Sequence, residues 1–210
     1  MRVYKFLTSE FAMKDIWQRR IKISEISDLN DPFELIPCDL SDPRHLYAVL
    51  AMRDEMTRNR GLLCFSRVWT NPLLWAHYAD MHRGICLGFD LNFADKMARP
   101  VDYVEERLPW QEPPTEEFTL KLLWAKFAGW KYEEEVRAFV TREEEENRRY
   151  FIHFDEKLKL REIIVGHRCC VERGEISAAM ASYPEPVPII KARISRTSFN
   201  VEEHPYGFMN

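Results

Sequence analysis

Two glutamates two residues apart, with an arginine at the next step, are the first groups in this chain whose types and spacing suggest chemistry. Glu133, Glu135 and Arg137 lie in the run WKYEEEVRAFV, residues 130–140. Read as a strand, in which successive side chains take opposite faces, the three share one side, and Tyr132, Val136, Ala138 and Val140 line the other. Strand spacing puts the two carboxylates roughly 7 Å apart. Such a face is either solvated, carrying cross-strand salt bridges, or lines a cleft. In a cleft, one carboxylate stabilises a developing oxocarbenium ion and holds a sugar hydroxyl while the other orients or activates a nucleophile. Glu135 is the first choice for that work and Glu133 the second, with Glu134 pointing to the other face. Lys5, Ser66 and Arg137 are strand residues available to place a substrate.

A second centre is the helix after Asn71, which carries Trp75, His77 and Tyr78. At about 100° per residue Trp75 and His77 lie roughly 200° apart, so only one of them faces inward. A histidine beside an aromatic on a short helix is more often a structural hydrogen-bonding residue. His77 is nonetheless a candidate general acid or base, because a glycine-containing strand follows at once. Metal chemistry is not expected: no His-Glu-x-x-His or paired Cys-x-x-Cys occurs, and the side chains of adjacent Cys169 and Cys170 diverge. Nucleophile-elbow, phosphate-loop and dinucleotide glycine patterns are absent as well.

These groups must be held by a chain of 210 residues, 46% hydrophobic and 30% charged, a profile that suits one globular domain spanning 1–210. A formal net charge of -4 offers no domain-wide basic field, so nucleic-acid binding would need a local patch. Five scattered cysteines argue against a disulfide framework. Neither a membrane-length apolar run nor a secretory leader is visible, so a cytoplasmic protein with no membrane partner is expected.

The pattern along the chain predicts strands at 3–7, 21–26, 62–66, 82–90, 101–104, 130–140, 163–166 and 187–194, with a return strand beginning at 150. Helices are predicted from Thr8 or Ser9 to about 19 (Met13, Ile16 and Trp17 inward) and from 42–43 to about 61 (Leu46, Val49, Leu50 and Met56 on one side). Further helices follow at 73–80, after Thr115 (Leu120, Leu123, Trp124 and Phe127 as the stripe) and at 171–182. The acidic run 143–146 reads as a solvated hairpin tip, and 27–33 as a tight polar loop holding Asn30 and Asp31. Strands and helices mix without regular alternation, which predicts an α+β fold with mixed, mostly antiparallel sheet.

Tyr4-Lys5-Phe6, Leu29-Asn30-Asp31-Pro32-Phe33-Glu34, Leu63-Cys64-Phe65-Ser66, Trp75-Ala76-His77-Tyr78-Ala79-Asp80 with His82 and Gly84-Ile85-Cys86, and Trp130-Lys131-Tyr132-Glu133-Glu134-Glu135-Val136-Arg137 occur in one order. With Glu162-Ile163-Ile164-Val165-Gly166, this series resembles a bacterial family known as domain of unknown function 2971, over most of the chain. Phe6 and Leu7 stand where that family's first motif ends in a tyrosine–arginine pair. A looser likeness is to ADP-ribosyltransferases, which place a basic residue on a first strand, a serine on a middle strand and Glu-x-Glu on a later one. Lys5, Ser66 and Glu133-x-Glu135 follow that order.

The likeness implies an ADP-ribosyltransferase-like fold and NAD+ as substrate rather than resident cofactor, with a protein or nucleic-acid acceptor left open. Glu135 would contact the nicotinamide ribose, Glu133 would orient the acceptor, and Tyr78 or Trp75 would stack on the nicotinamide. It also implies a place in bacterial stress or phage defence. Three readings therefore stand: NAD+ processing; a non-catalytic ligand- or protein-binding module with a buried polar network around Trp75, Asn30, Asp31 and Arg137; and a nuclease or toxin-like hydrolase using His77.

Overall fold

The computed structural model describes residues 1–94, 97–142 and 144–208, and the side chains of Ser27, Met56 and Glu144 also lie outside the described set. Met56 of the expected helix stripe and Glu143 of the acidic run thus fall outside the described residues. In chain order the elements are β1 (Arg2–Leu7), α1 (Ser9–Gln18), β2 (Arg20–Ile23), α2 (Pro43–Thr57), β3 (Arg60–Ser66), α3 (Pro72–Tyr78), β4 (Ile85–Leu91), β5 (Ala98–Pro100) and β6 (Asp102–Val104). They continue with α4 (Glu116–Trp124), β7 (Ala125–Phe127), β8 (Glu135–Thr141), β9 (Glu144–Glu146), β10 (Arg149–His153), β11 (Leu158–Val165), α5 (Arg173–Ala179), β12 (Ile189–Ile194) and β13 (Val201–Glu203). Pairing is parallel between β11 and β12 and between β6 and β7, and antiparallel between β1 and β3, β1 and β4, β4 and β11, β12 and β13, and β5 and β8. The fold is α+β with mixed, mostly antiparallel sheet, as the irregular succession of elements predicts.

Contacts divide the chain into two compact units, unit 1 being Met1–Lys22, Phe65–Phe93 and Phe151–Asn210, and unit 2 being Ile23–Cys64 and Ala94–Tyr150. In unit 1 the strands run in the order β13-β12-β11-β4-β1, and Ser66 at the end of β3 pairs with Tyr4. The two faces of β1 are covered differently. Phe6 meets the edge of the buried Trp75 ring of α3 at 5.2 Å, whereas Lys5 lies one residue earlier and so on the opposite face, and its charge acts on Asp15 of α1. Helix α1 begins where the Thr8 hydroxyl accepts the Phe11 N–H, and it ends at Arg19, whose φ is 51°. Ala12 and Ile16 are buried, but Trp17, expected inward, is 70% exposed, because the 100° step from Ile16 turns it to solvent. Helix α3 starts as its sequence dictates, the Asn71 side chain accepting the Leu73 N–H at 3.0 Å with Pro72 in the first turn. Strand β13, three residues long, carries too short a pattern to be anticipated.

Unit 2 holds residues 60–64 of β3 beside β8 and β5, the pair β6–β7, and helices α2 and α4. One core packs Leu35, Leu62, Leu123, Trp124 and Phe139, and another packs Cys38, Val49, Phe118 and Leu122. Two expected stripes are corrected here. On α2 only Val49 is fully buried while Leu46 is exposed, and on α4 the buried residues are Phe118, Leu122, Leu123 and Trp124, with Leu120 exposed. Phe127 lies beyond that helix, on β7, and is exposed.

Candidate functional site

Glu133 and Glu135 do not belong to one strand. Residues Ala128–Glu133 wind into a 3₁₀ turn, Glu134 takes a left-handed conformation (φ 44°), and β8 begins only at Glu135. The alternation counted through 130–140 therefore breaks at Glu134, and the 7 Å separation does not apply. The reversal instead folds Glu133 back so that both carboxylates meet one amine: Lys126 Nζ on β7 donates to Glu133 Oε2 at 2.5 Å and to Glu135 Oε2 at 2.7 Å. The Trp130 ring lies 5.5 Å from the same amine.

Arg137 completes the arrangement. Its Nε donates to Glu135 Oε1 at 2.9 Å, Nη1 donates to the Leu123 carbonyl at 2.7 Å, and Nη2 reaches Glu34 and, at 3.3 Å, Glu135 Oε2. Glu34 Oε2 also lies 3.7 Å from Lys126 Nζ. The Glu135 backbone N–H donates to the Tyr103 hydroxyl at 2.9 Å. All five charged residues are buried, Arg137 completely. Neither expectation for this face survives: it is not solvated, nor does it line an open cleft. Val136, Ala138 and Val140 are buried too, so β8 is covered on both faces.

Three carboxylates and two cations face one another out of water, a costly arrangement unless every charge is paired and hydrogen-bonded. Burial alone pushes the Glu135 carboxyl up, but Arg137 and Lys126 outweigh it and hold that group at about 2. Burial would likewise lower Lys126 and Arg137, yet the carboxylates raise both above their ordinary values. Glu34 moves the other way, burial raising it against the pull of Arg137 and Lys126. Burial also lifts the Tyr103 phenol to about 12. Glu135, Lys126 and Arg137 thus keep fixed charges through the neutral range, which suits electrostatic positioning rather than proton shuttling.

Glu34 faces open space as well. With Asp31, Leu29 and Pro32 it lines a cleft of about 470 Å³ in unit 2, whose other walls bear Glu25, Arg53, Asp54, Arg58, Arg60 and Arg142. Several of these charges are already matched. Arg53 lies 3.3 Å from Asp54, Arg58 lies 2.8 Å from Glu55, and Arg142 bonds Glu25 and the Arg58 carbonyl. Asp31 Oδ1 accepts the Phe33 N–H at 2.9 Å, tightening the loop that carries Glu34. Asn30 is exposed beside it.

The remaining candidates lie in unit 1. Trp75 is fully buried, with its indole N–H donated to the Trp69 carbonyl at 2.6 Å, and His77 is exposed, its ring edge-on to Tyr78. Ser66 is buried, and its hydroxyl accepts the Val68 N–H at 3.1 Å. Because Ser66 pairs with Tyr4, it shares Tyr4's face, so the register separates it from Lys5. Tyr4 in turn pairs with Gly88 and Gly88 with Glu162, giving a row across β3, β1, β4 and β11. The Tyr4 hydroxyl donates to Glu162 Oε1 at 3.2 Å above Gly88, where an added Cβ would fall 2.5 Å from Glu162 Cγ. Arg2 bonds both Glu162 and Asp90, and Arg161 bonds Asp90 at 2.7 Å.

Sequence reasoning found Glu133, Glu135 and Arg137 but missed Lys126 and Glu34 as their partners. Lys126 sits just after α4 with no periodic signal, and Glu34 lies about a hundred residues away in sequence. The only hint was its place in Asn30-Asp31-Pro32-Phe33-Glu34. Among the described residues no group of three or more His, Cys, Asp or Glu side chains is placed to hold a metal ion, and no helix is long and apolar enough to cross a membrane. Comparison of the chain with protein-family models, curated proteins and solved structures finds no match.

Proposed function

We propose that the chain is a non-catalytic ligand-binding module, with the charged cluster of unit 2 as its scaffold and the adjoining cleft as its contact surface. The observation that carries this reading is the enclosure of Glu135. Both of its oxygens are taken by Arg137 and Lys126, and it is 2% exposed, so no reacting atom has a path to it. Glu34 links scaffold to cleft by holding Arg137 on one side and forming part of the cleft wall on the other. Arginines and carboxylates interspersed along that wall suit a small polar solute bearing both donors and acceptors.

The test is a thermal-shift panel of amino acids, sugars and nucleotides. A ligand present at about a hundred times its Kd contributes about 2.7 kcal/mol, which raises Tm by roughly 5–10 °C in a chain of this size. Arg60→Ala, at an exposed position, should abolish the shift without altering the unliganded Tm. A panel that shifts nothing would sink the proposal.

A second reading, ADP-ribosyl transfer or NAD+ hydrolysis, rests on the looser likeness of Lys5, Ser66 and Glu133-x-Glu135 to ADP-ribosyltransferases, and one feature favours it. Arg137 and Lys126 hold the Glu135 carboxyl at about 2, and an ionised carboxylate is what stabilisation of an oxocarbenium ion requires. On that reading the protein releases nicotinamide from NAD+, and Glu135→Gln abolishes release while leaving Tm within a few degrees. The absence of NAD+ turnover or binding excludes it.

A further inference from the structure

In a chain of net charge -4, one end of the unit 1 sheet gathers five basic side chains: His82, His167, Arg168, Lys191 and His204. Backbone hydrogen bonds fix their spacing. After α3 the chain makes a left-handed turn in which Asp80, Met81 and His82 have φ of 44°, 52° and 70°. Three consecutive residues other than glycine in this region are strained, so the surroundings must hold them. The His82 N–H donates to the Trp75 carbonyl at 3.1 Å, and the His82 ring stacks on the Trp75 indole. The loop after β11 locks onto this turn. Gly166 N–H donates to the Gly84 carbonyl and Arg168 N–H to the His82 carbonyl, each at 3.0 Å. Only glycine fits at 166, since a Cβ there would lie 2.4 Å from the His82 oxygen.

Lys191 Nζ reaches into the same loop, donating to the Gly166 and Cys169 carbonyls at 2.8 and 2.9 Å, and the His204 N–H donates to the Lys191 carbonyl at 2.7 Å. Two nearby acids are otherwise engaged. Asp80 lies 3.8 Å from Arg83, and Glu175 accepts the Glu172 N–H in the cap of α5. Arg168 has no carboxylate partner among the described residues, and His82 Nδ1 is buried without a hydrogen-bond partner among them. Burial, then Arg168 and His167, lower His82, while burial, then Lys191, Arg168 and His204, lower His167. The charges that lower these two rings are all positive.

We propose that this cluster is a binding site for the phosphate group of a small molecule, with Arg168 as the main fixed-charge donor and His82 and His167 as donors that gain a proton as the anion arrives. A doubly charged tetrahedral anion relieves the mutual repulsion of several cations at once, which a single carboxylate does less completely. The site lies wholly in unit 1 and stands whatever the cleft of unit 2 binds.

Calorimetric titration of the whole chain with sulfate tests this directly, because sulfate keeps its double charge between pH 6 and 8 and any pH effect belongs to the protein. Uptake of one proton per anion makes binding up to about a hundredfold tighter at pH 6 than at pH 8. Arg168→Gln, at an exposed position, weakens binding at least tenfold at both pH values, and His167→Gln flattens the pH dependence. In the unaltered chain, anion-induced NMR shifts at His82, His167 and Gly166 give the same answer without a variant. Equal affinity for inorganic phosphate and a nucleoside monophosphate assigns the site to free phosphate, and tighter nucleotide binding assigns it to nucleotides; either supports the proposal. An affinity that does not change with pH, or that Arg168→Gln leaves intact, overturns it. Binding confined to single-stranded oligonucleotides overturns it as well.

Discussion

Unit 1 and unit 2 each contain an ion-pair network built on a strand, and water treats the two differently. In unit 1, Arg2, Asp90, Arg161 and Glu162 pair across β1, β4 and β11 with side chains 40%, 29%, 39% and 14% exposed. In unit 2, Glu34, Lys126, Glu133, Glu135 and Arg137 pair with none more than 8% exposed. Exposed pairs gain little because water screens them and their side chains lose freedom on pairing. Buried pairs carry a desolvation cost of several kcal/mol per ion that only complete pairing offsets, so removing one partner is far more damaging than the net worth of the pair. Charge content alone therefore does not say which network matters. Enclosure does.

The largest effect that would sharpen this contrast is Arg137→Ala. It strips Glu34 and Glu135 of their shared cation and leaves the Leu123 carbonyl unpaired, for a loss of about 3–5 kcal/mol. Thermal unfolding should show Tm falling by roughly 6–20 °C. A fall of only a degree or two would mean that water enters the cluster.

Asp15 tests burial with weaker compensation. This carboxylate, on the buried face of α1 in unit 1, is raised to about 7, first by burial, against the pull of Lys5, Arg20 and Lys14. A carboxyl raised on folding favours the protonated state, so its contribution is complete below the unfolded value of 3.8 and is lost as pH climbs through about 7. The swing is on the order of 4 kcal/mol at most. Urea unfolding at pH 5 and pH 8 should show Asp15→Asn gaining relative to wild type at the higher pH. An equal difference at both values would refute the assignment.

The smallest effect belongs to the exposed network. Arg2→Ala should cost about 0–1 kcal/mol, and that cost should shrink further in 1 M salt. A loss comparable to that of Arg137→Ala would erase the distinction between the two networks.

Much of the fold was legible from local chemistry. The Asn71-Pro72 start of α3, the Thr8 and Thr115 caps and the buried strand ending at Ser66 all follow from residue type and spacing, because caps and apolar runs act over a few residues. The site was only half legible. Glu133, Glu135 and Arg137 announced themselves by charge, but their geometry turned on a left-handed residue, Glu134, that strand alternation cannot anticipate. Their partners Lys126 and Glu34 are set by tertiary packing, which no periodicity records. The separation of Lys5 from Ser66 is likewise a matter of register, since Ser66 pairs with Tyr4 rather than Lys5.

The most direct test of the central claim, that the glutamate at the heart of the cluster is scaffold, is equilibrium urea unfolding of Glu135→Gln beside wild type. Neutralising a carboxylate held by both Arg137 and Lys126 should remove about 3–5 kcal/mol. Wild-type stability in that variant would contradict the claim and leave Glu135 free for chemistry.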